Sequence, residues 1–322
     1  MDQRWEQMRR TLPFVMAILL LTLVPLNAQA LFGRSKEAEQ VPGAPVARNM
    51  EIHTYSGVPY TGTLKADDYE NENVIFRITE APRKGTLEFS PEGVFIYTPD
   101  NNKTGKDHFC YTAIDDGDNC SAPATVKIRI QRVDAGVRYS DTGEKSCATA
   151  AVDLAEHGVL VGTRIGDNWF FEPERLVTRG EFVAMAMAAA GLRESDVTVT
   201  GFSDDESIPT WAKSSAAGAL SAGVVRGVAT DEGPAFCPDS SITLSEAAVI
   251  LNRILKVTNV DLSNPGHAES APAWYAQAVA NLESVSVVPA AGYAGGPLDR
   301  AVTRSEAAEL LSAMIQLSEA RT

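Results

Sequence analysis

The chain of 322 residues carries 28 Lys and Arg against 42 Asp and Glu, a net charge of −14, with 44% hydrophobic residues. That length corresponds to about two domains, and the apolar share is too high for a wholly disordered chain. The acidic balance argues against nucleic acid, whose phosphates need Lys and Arg, and against a basic patch on an anionic membrane. The four histidines, His53, His108, His157 and His267, are too scattered for a multi-His metal centre.

Arg4, Arg9 and Arg10 precede an apolar run from Leu12 to Val24, and Ala28-Gln29-Ala30 follows. A positive start, a short apolar stretch and a small-x-small site predict a secretory signal peptide over residues 1–30. The run is shorter than the about twenty residues a membrane span needs. No cysteine follows it, which argues against a lipoprotein anchor, and no second stretch is apolar enough to span. Without those thirty residues the net charge becomes −15. Residues 31–47, polar and punctuated by Pro and Gly, read as a linker.

From 48 to 133 the pattern becomes short alternating runs separated by turn residues. Val74–Ile78, Gly85–Phe89, Val94–Tyr97, His108–Thr112 and Ala124–Ile130 are the predicted strands of a small antiparallel sandwich. Lys84-Gly85-Thr86-Leu87, Gly93-x-Phe95-x-Tyr97-Thr98-Pro99, Gly105-x-Asp107-x-Phe109-x-Tyr111 and Asp115-Asp116-Gly117 resemble bacterial cadherin-like, immunoglobulin-like modules, which are spacers and adhesion units of exported proteins. Modules of that kind often hold Ca²⁺, and Asp67, Asp68 and Glu70 form an acidic loop in the corresponding place. The oxygen set there is incomplete, so a solvated loop is the simpler reading and Ca²⁺ the alternative; no other cofactor is expected.

Export permits disulfides. Cys110 and Cys120 flank the turn Asp115-Asp116-Gly117-Asp118, which suggests one bridge across a hairpin and leaves Cys147 with Cys237. The alternative is four buried thiols.

From about Tyr139 the periodicity is helical and the chain repeats itself. Val177-Thr178-Arg179-Gly180-Glu181 returns as Ile242-Thr243-Leu244-Ser245-Glu246 and as Val302-Thr303-Arg304-Ser305-Glu306, at steps of 65 and 60 residues. An apolar helical stripe follows each motif, and a helix-like run precedes it at Ala151–His157, Ala212–Ala222 and Tyr275–Glu283. Each unit is therefore helix, loop, helix, over residues 139–192, 202–257 and 265–318. Thr-x-x-Glu before an apolar run is a capping box, which assigns Thr178 with Glu181, Thr243 with Glu246 and Thr303 with Glu306 to helix initiation. Arg179 and Arg304 work against the helix dipole at that first turn. A guanidinium beside free helix-start N–H groups would form a carboxylate or phosphate site, the alternative being an exposed arginine with no role.

These units resemble the S-layer homology family, three tandem repeats of which form a wall-anchoring unit. The resemblance rests on Tyr139-Ser140-Asp141 and Phe202-Ser203-Asp204, on Trp211-Ala212 and Trp274-Tyr275, and on Gly158-Val159-Leu160-Val161-Gly162 with Gly223-Val224-Val225-Arg226-Gly227. Phe171-Glu172-Pro173, Phe236-Cys237-Pro238 and the Thr-Arg-x-Glu boxes complete it. The resemblance implies an all-α pseudo-threefold bundle of three repeats behind the all-β immunoglobulin-like sandwich. It further implies a secreted, non-catalytic protein of the cell wall or S-layer that binds an anionic secondary wall polysaccharide, often pyruvylated, in grooves between repeats. Arg179 and Arg304 would contact the anion. Trp211 and Trp274 would stack on sugars or join the core, and Asp141 and Asp204 would bind hydroxyls or fix the first loop. Leu244 in place of arginine, Ser146 in place of tryptophan, Ser286 in place of glycine and the aberrant start Pro265-Gly266-His267 leave at most two competent grooves. The competing expectation is an adhesin or matrix protein whose sandwich binds a protein partner. A hydrolase finds no support in a Gly-x-Ser-x-Gly or His-Glu-x-x-His motif.

Overall fold

A computed structural model of the protein describes residues 43–68, 73–193, 195, 197, 199–258, 273–288 and 297–321. The expected signal peptide, residues 31–42 of the expected linker, Glu70 and the Pro265-Gly266-His267 start lie outside them. Residues 40–322 form a single compact unit in which a β region precedes a helical region.

Among the described residues the β region holds nine strands: β1 Val46–Ala47, β2 Met50–Tyr55, β3 Tyr60–Thr63, β4 Ala66–Asp67, β5 Ile75–Glu80, β6 Gly85–Phe89, β7 Val94–Pro99, β8 Gly105–Ile114 and β9 Ala124–Gln131. Two sheets face each other, ordered β2-β9-β8-β5 and β3-β7-β6, with β1 and β4 as a small separate pair. Alternation along β9 buries Ala124, Val126, Ile128 and Ile130 and exposes the residues between them. With Phe95, Tyr97, Phe109 and Tyr111 from β7 and β8 they form the sandwich core.

Three sequence expectations are corrected here. The sandwich is not wholly antiparallel, because β2 runs parallel to β9, the first sheet strand lying beside the last. The linker does not reach residue 47, because Val46 and Ala47 pair with Asp67 and Ala66. The four cysteines are free thiols. Cys110 stands opposite Thr125, whereas Cys120 bridges to Ile114, four residues farther along β8. Four residues of strand span about 13 Å, too far for a disulfide. Cys147, in the first unit, hydrogen-bonds Ser305, while Cys237 lies in the second unit, its backbone N–H held by Asp204 of that unit.

Six α-helices make up the helical region among the described residues: α1 Ala148–Glu156, α2 Arg179–Ala189, α3 Thr210–Ser221, α4 Leu244–Leu255, α5 Ala273–Ser284 and α6 Arg304–Arg321. Short hairpins, β10 Thr163–Ile165 with β11 Asn168–Phe170 and β12 Val228–Thr230 with β13 Gly233–Ala235, separate the helices of the first two units. Gly162 and Gly227 open these hairpins with φ of 79° and 78°, and a Cβ there would stand 2.5 Å and 2.9 Å from the carbonyl oxygens of Phe170 and Ala235. Only glycine combines that backbone with that approach.

The three motif segments close on one another. Val177 N–H donates to Val302 O (3.0 Å), Val302 N–H to Ile242 O (2.9 Å) and Ile242 N–H to Val177 O (3.0 Å). Phe171, Phe182, Phe236, Leu251 and Leu311 are buried in the one core these segments share.

The β and helical regions meet in a buried joint. Tyr55 donates to Asp153 Oδ1 (2.7 Å), Ser312 donates to Asp153 Oδ2 (2.6 Å), and the hydroxyls of Thr54 and Thr149 lie 3.0 Å apart. Val137, Val152 and Ala155 pack around Tyr55.

Candidate functional site

Each motif threonine and glutamate form a reciprocal pair. The N–H of Glu181 donates to Thr178 Oγ1 (3.2 Å) while Thr178 N–H donates to Glu181 Oε2 (3.0 Å). The same exchange joins Thr243 with Glu246 and Thr303 with Glu306.

The first N–H groups of these helices are not free. Arg179 N–H donates to Ser240 O (2.8 Å) and Gly180 N–H to Pro238 O (2.9 Å). Leu244 and Ser245 donate to Arg300 and Leu298, and Arg304 and Ser305 to Arg175 and Pro173. With the third donor on the threonine, the start of each helix is filled by the neighbouring repeat. This corrects the expectation of a helix-start anion site: only the guanidinium of the motif arginine remains available, because the N–H groups hold the ring closed.

Both motif arginines turn away from their own helices and are buried, Arg179 at 7% and Arg304 at 6% exposure. Arg179 donates through Nε to Phe236 O (2.9 Å), approaches Glu246 at 3.4 Å and lies over the Phe236 ring. Arg304 occupies the matching place over Phe171, with its Cζ 5.2 Å from the ring centre, but Glu172 stands 3.9 Å away and its buried Nε has no hydrogen-bond partner. Burial, then the nearby Arg175 cation, pushes the Arg304 guanidinium below its ordinary pKa.

Arg304 lines a cavity of about 180 Å³ together with Arg175, Val177, Glu181, Met185 and Trp211. Residues from three repeats converge there. Trp211, at the start of α3, is 58% exposed and forms part of the wall. Trp274 is equally exposed at the start of α5, its ring edge-on to Tyr275. Arg175, which pattern reading passed over, donates to Glu181 Oε1 at 2.7 Å. Burial pushes the Glu181 carboxyl up, but its hydrogen bonds from Thr178 and Arg175 outweigh this and hold it below the usual range. The signal for Arg175 was its position two residues before the Val-Thr-Arg run, matched by Arg300 in the third repeat.

Asp141 and Asp204 lie on the loops that precede these walls. Asp141 accepts from the N–H groups of Phe171 (2.8 Å) and Glu172 (2.7 Å), and Asp204 from those of Phe236 (2.6 Å) and Cys237 (2.8 Å). Glu172 and Cys237 both have φ of 57°, so each carboxylate clamps a left-handed residue before a proline. In the sandwich, Asp67 pairs with Arg48. Among the described residues no cluster of three or more His, Cys, Asp and Glu is arranged to hold a metal, and no helix is long and apolar enough to cross a membrane.

A wider cleft of about 760 Å³ opens at the joint between the regions, lined by Glu51, His53, Arg129, Asp153, His157 and Glu319 among others. Its polar groups largely face one another: His157 reaches Asp153 O (2.8 Å) and Glu319 (3.2 Å), and Gln316 lies 3.4 Å from His53. The smaller cavity, lined by the guanidinium groups of Arg175 and Arg304, is the stronger candidate.

Residues 42–129 match the bacterial Ig domain family. These residues are a bacterial Ig-like domain. Its paired sheets and parallel first and last strands fit that assignment. Exoglucanase XynX of Acetivibrio thermocellus is 33% identical to this protein over 125 residues, 38% of this chain and 11% of the enzyme. Amylopullulanase of Thermoanaerobacterium thermosulfurigenes is 35% identical over 122 residues, 37% of this chain and 6% of that protein. The chain thus spans about a tenth or less of the curated relatives it matches. Among solved structures, an endo-fucoidan hydrolase of glycoside hydrolase family 107 aligns at 17% identity and TM-score 0.25, covering 36% of this chain and 17% of the other. Human protocadherin-24 EC1-2 aligns at 17% identity and TM-score 0.23, covering 27% and 52%.

Proposed function

We propose that the protein is an exported, non-catalytic cell-surface component. On this reading the helical region is a pseudo-threefold ring of three S-layer homology repeats that anchors the chain to an anionic wall polysaccharide and displays the Ig-like domain. The observation that carries the reading is the cavity lined by Trp211 of one repeat together with Arg175 and Arg304 of the other two. An exposed indole beside two guanidinium groups suits a sugar bearing a negative charge. The cyclic exchange of backbone hydrogen bonds between the motifs supports the ring. The bacterial Ig-like domain and the two matched proteins, named for enzymes of glucan and pullulan breakdown, support a location outside the cell.

Co-sedimentation of the purified chain with bacterial wall sacculi tests this reading. The chain pellets with intact sacculi and stays in solution once the secondary polymer has been extracted. Equal sedimentation with extracted and intact sacculi would refute it.

A second reading, a surface adhesin, draws on the half-exposed Ile75 and Phe89 on the edge strands β5 and β6. Cell binding by the chain that disappears when both are changed to Ser would favour it.

A further inference from the structure

The acidic charge of the chain is unevenly spread. Residues 48–133 hold ten Lys and Arg against thirteen Asp and Glu, a net −3, whereas residues 134–322 hold thirteen against twenty-five, a net −12. On the outer face of the β2-β9-β8-β5 sheet, cations stand together. Alternation along β9 leaves Lys127, Arg129 and Gln131 exposed on that face. Lys106 of β8 lies directly opposite Arg129, which has His53 of β2 on its other side. His108 and Glu51 flank Lys127 in the same way. Adjacent strands are about 4.8 Å apart and alternate residues of one strand about 7 Å, so three exposed cations share one small patch. No ion pair or side-chain hydrogen bond engages Lys106, Lys127 or Arg129 among the described residues. On the same face Glu80 is taken up by His108 at 3.5 Å and Arg83 at 3.4 Å.

Like charges directly opposite each other across a sheet work against pairing. Lys106 opposite Arg129 is therefore unfavourable for the fold of the domain, and an anion brought from outside relieves it. We infer that this face is a docking surface for a linear acidic polysaccharide, gripped by Lys106, Lys127 and Arg129 together. This contact is separate from the anchoring assigned to the ring and does not depend on it. A single exposed cation holds a single anion weakly, so affinity comes from several contacts made along one polymer. Gln131, at the next exposed position of β9, adds an amide suited to sugar hydroxyls. A protein partner fits the face less well. No large apolar side chain is exposed on β8 or β9, and lysine is depleted at the cores of protein interfaces. An anionic membrane fits less well too, because the same chain would bring a helical region of −12 to that surface. A thin polymer strand instead follows the patch alone.

The test is binding of polygalacturonate, monomeric galacturonate and neutral dextran to the full chain, with lysine acetylation by acetic anhydride read by mass spectrometry. Polygalacturonate slows acetylation of Lys106 and Lys127 severalfold and leaves Lys256, exposed at the end of α4, unchanged. The monomer and dextran protect neither. Lys127→Gln combined with Arg129→Gln, both at exposed positions, weakens polygalacturonate binding about tenfold. Lys106→Glu also weakens binding yet raises the denaturation midpoint, because opposite charges then face each other across the strand pair. Unprotected Lys106 and Lys127, equal protection by dextran, or unchanged affinity in the sheet variants would overturn the inference. Protection that grows with protein concentration in the absence of polymer would assign the face to a second copy of the chain and overturn it as well. Polygalacturonate binding that is lost in Arg304→Gln but kept in the sheet variants would place the polymer on the ring alone, defeating the sheet contact and not the wall reading.

Discussion

Asp141 and Asp204 illustrate how much of a repeat's geometry rests on one side chain. Each holds two consecutive N–H groups of the loop that forms the seat for a motif arginine, and Phe236 beneath that loop is fully buried. Asp204→Ala leaves two buried donors without an acceptor and should cost about 3 kcal/mol in urea unfolding, with Asp204→Asn, which keeps one acceptor, losing less. Ser286 makes the opposite case. Its φ of 59° matches the left-handed values of Gly158 and Gly223 at the corresponding turns. A non-glycine residue in that region carries about 1 kcal/mol of strain, so Ser286→Gly should raise the unfolding free energy by about that amount. The aspartates were visible in the pattern as recurring aromatic-Ser-Asp triplets. Their acceptors' role was not, because nothing in a single sequence says which distant N–H groups a carboxylate will meet.

At the scale of elements, the motif helices begin where their Thr-x-x-Glu boxes say they should, since a capping box is a local device written in four residues. Thr243→Ala removes the acceptor for Glu246 N–H and should destabilise the protein by about 1 kcal/mol, read as a lower denaturation midpoint. The strands with strict alternation, such as β9, were legible for the same local reason. The two hairpins between helices were not. Thr163–Ile165 and Val228–Thr230 are fully exposed three-residue strands with no buried face to impose a period. The helix N-termini were misread as open to an anion because the carbonyls of Ser240, Arg300 and Arg175 that close them come from another repeat each time.

On the scale of the whole molecule, the unforeseen feature is the joint. Composition and periodicity divide the chain into a β half and a helical half, yet Tyr55, Asp153 and Ser312 join them through one buried carboxylate. Burial pushes the Asp153 carboxyl up, but hydrogen bonds from His53, Ser312 and Tyr55 outweigh it and hold its pKa below the usual value. Burial likewise lowers the His157 pKa, and the Asp153 carbonyl and Glu319 more than reverse this. Asp153 therefore contributes stability that is lost as pH falls through its lowered pKa. His157 contributes stability that is complete below about pH 6.5 and lost as pH rises through its raised pKa. These two groups place greatest stability of the joint between about pH 4 and 6.5, and His157→Gln should flatten the fall in melting temperature toward alkaline pH. An acidic protein that recognises an acidic polymer must do so through a local cation, and the ring offers one at Arg304. Calorimetric titration of the full chain with purified anionic wall polymer, at low and at high salt, tests that claim most directly. Saturable binding that weakens as salt screens the charge, and that is absent for the same polymer stripped of its acidic groups, is the predicted result. Equal affinity for the charged and the stripped polymer would contradict it.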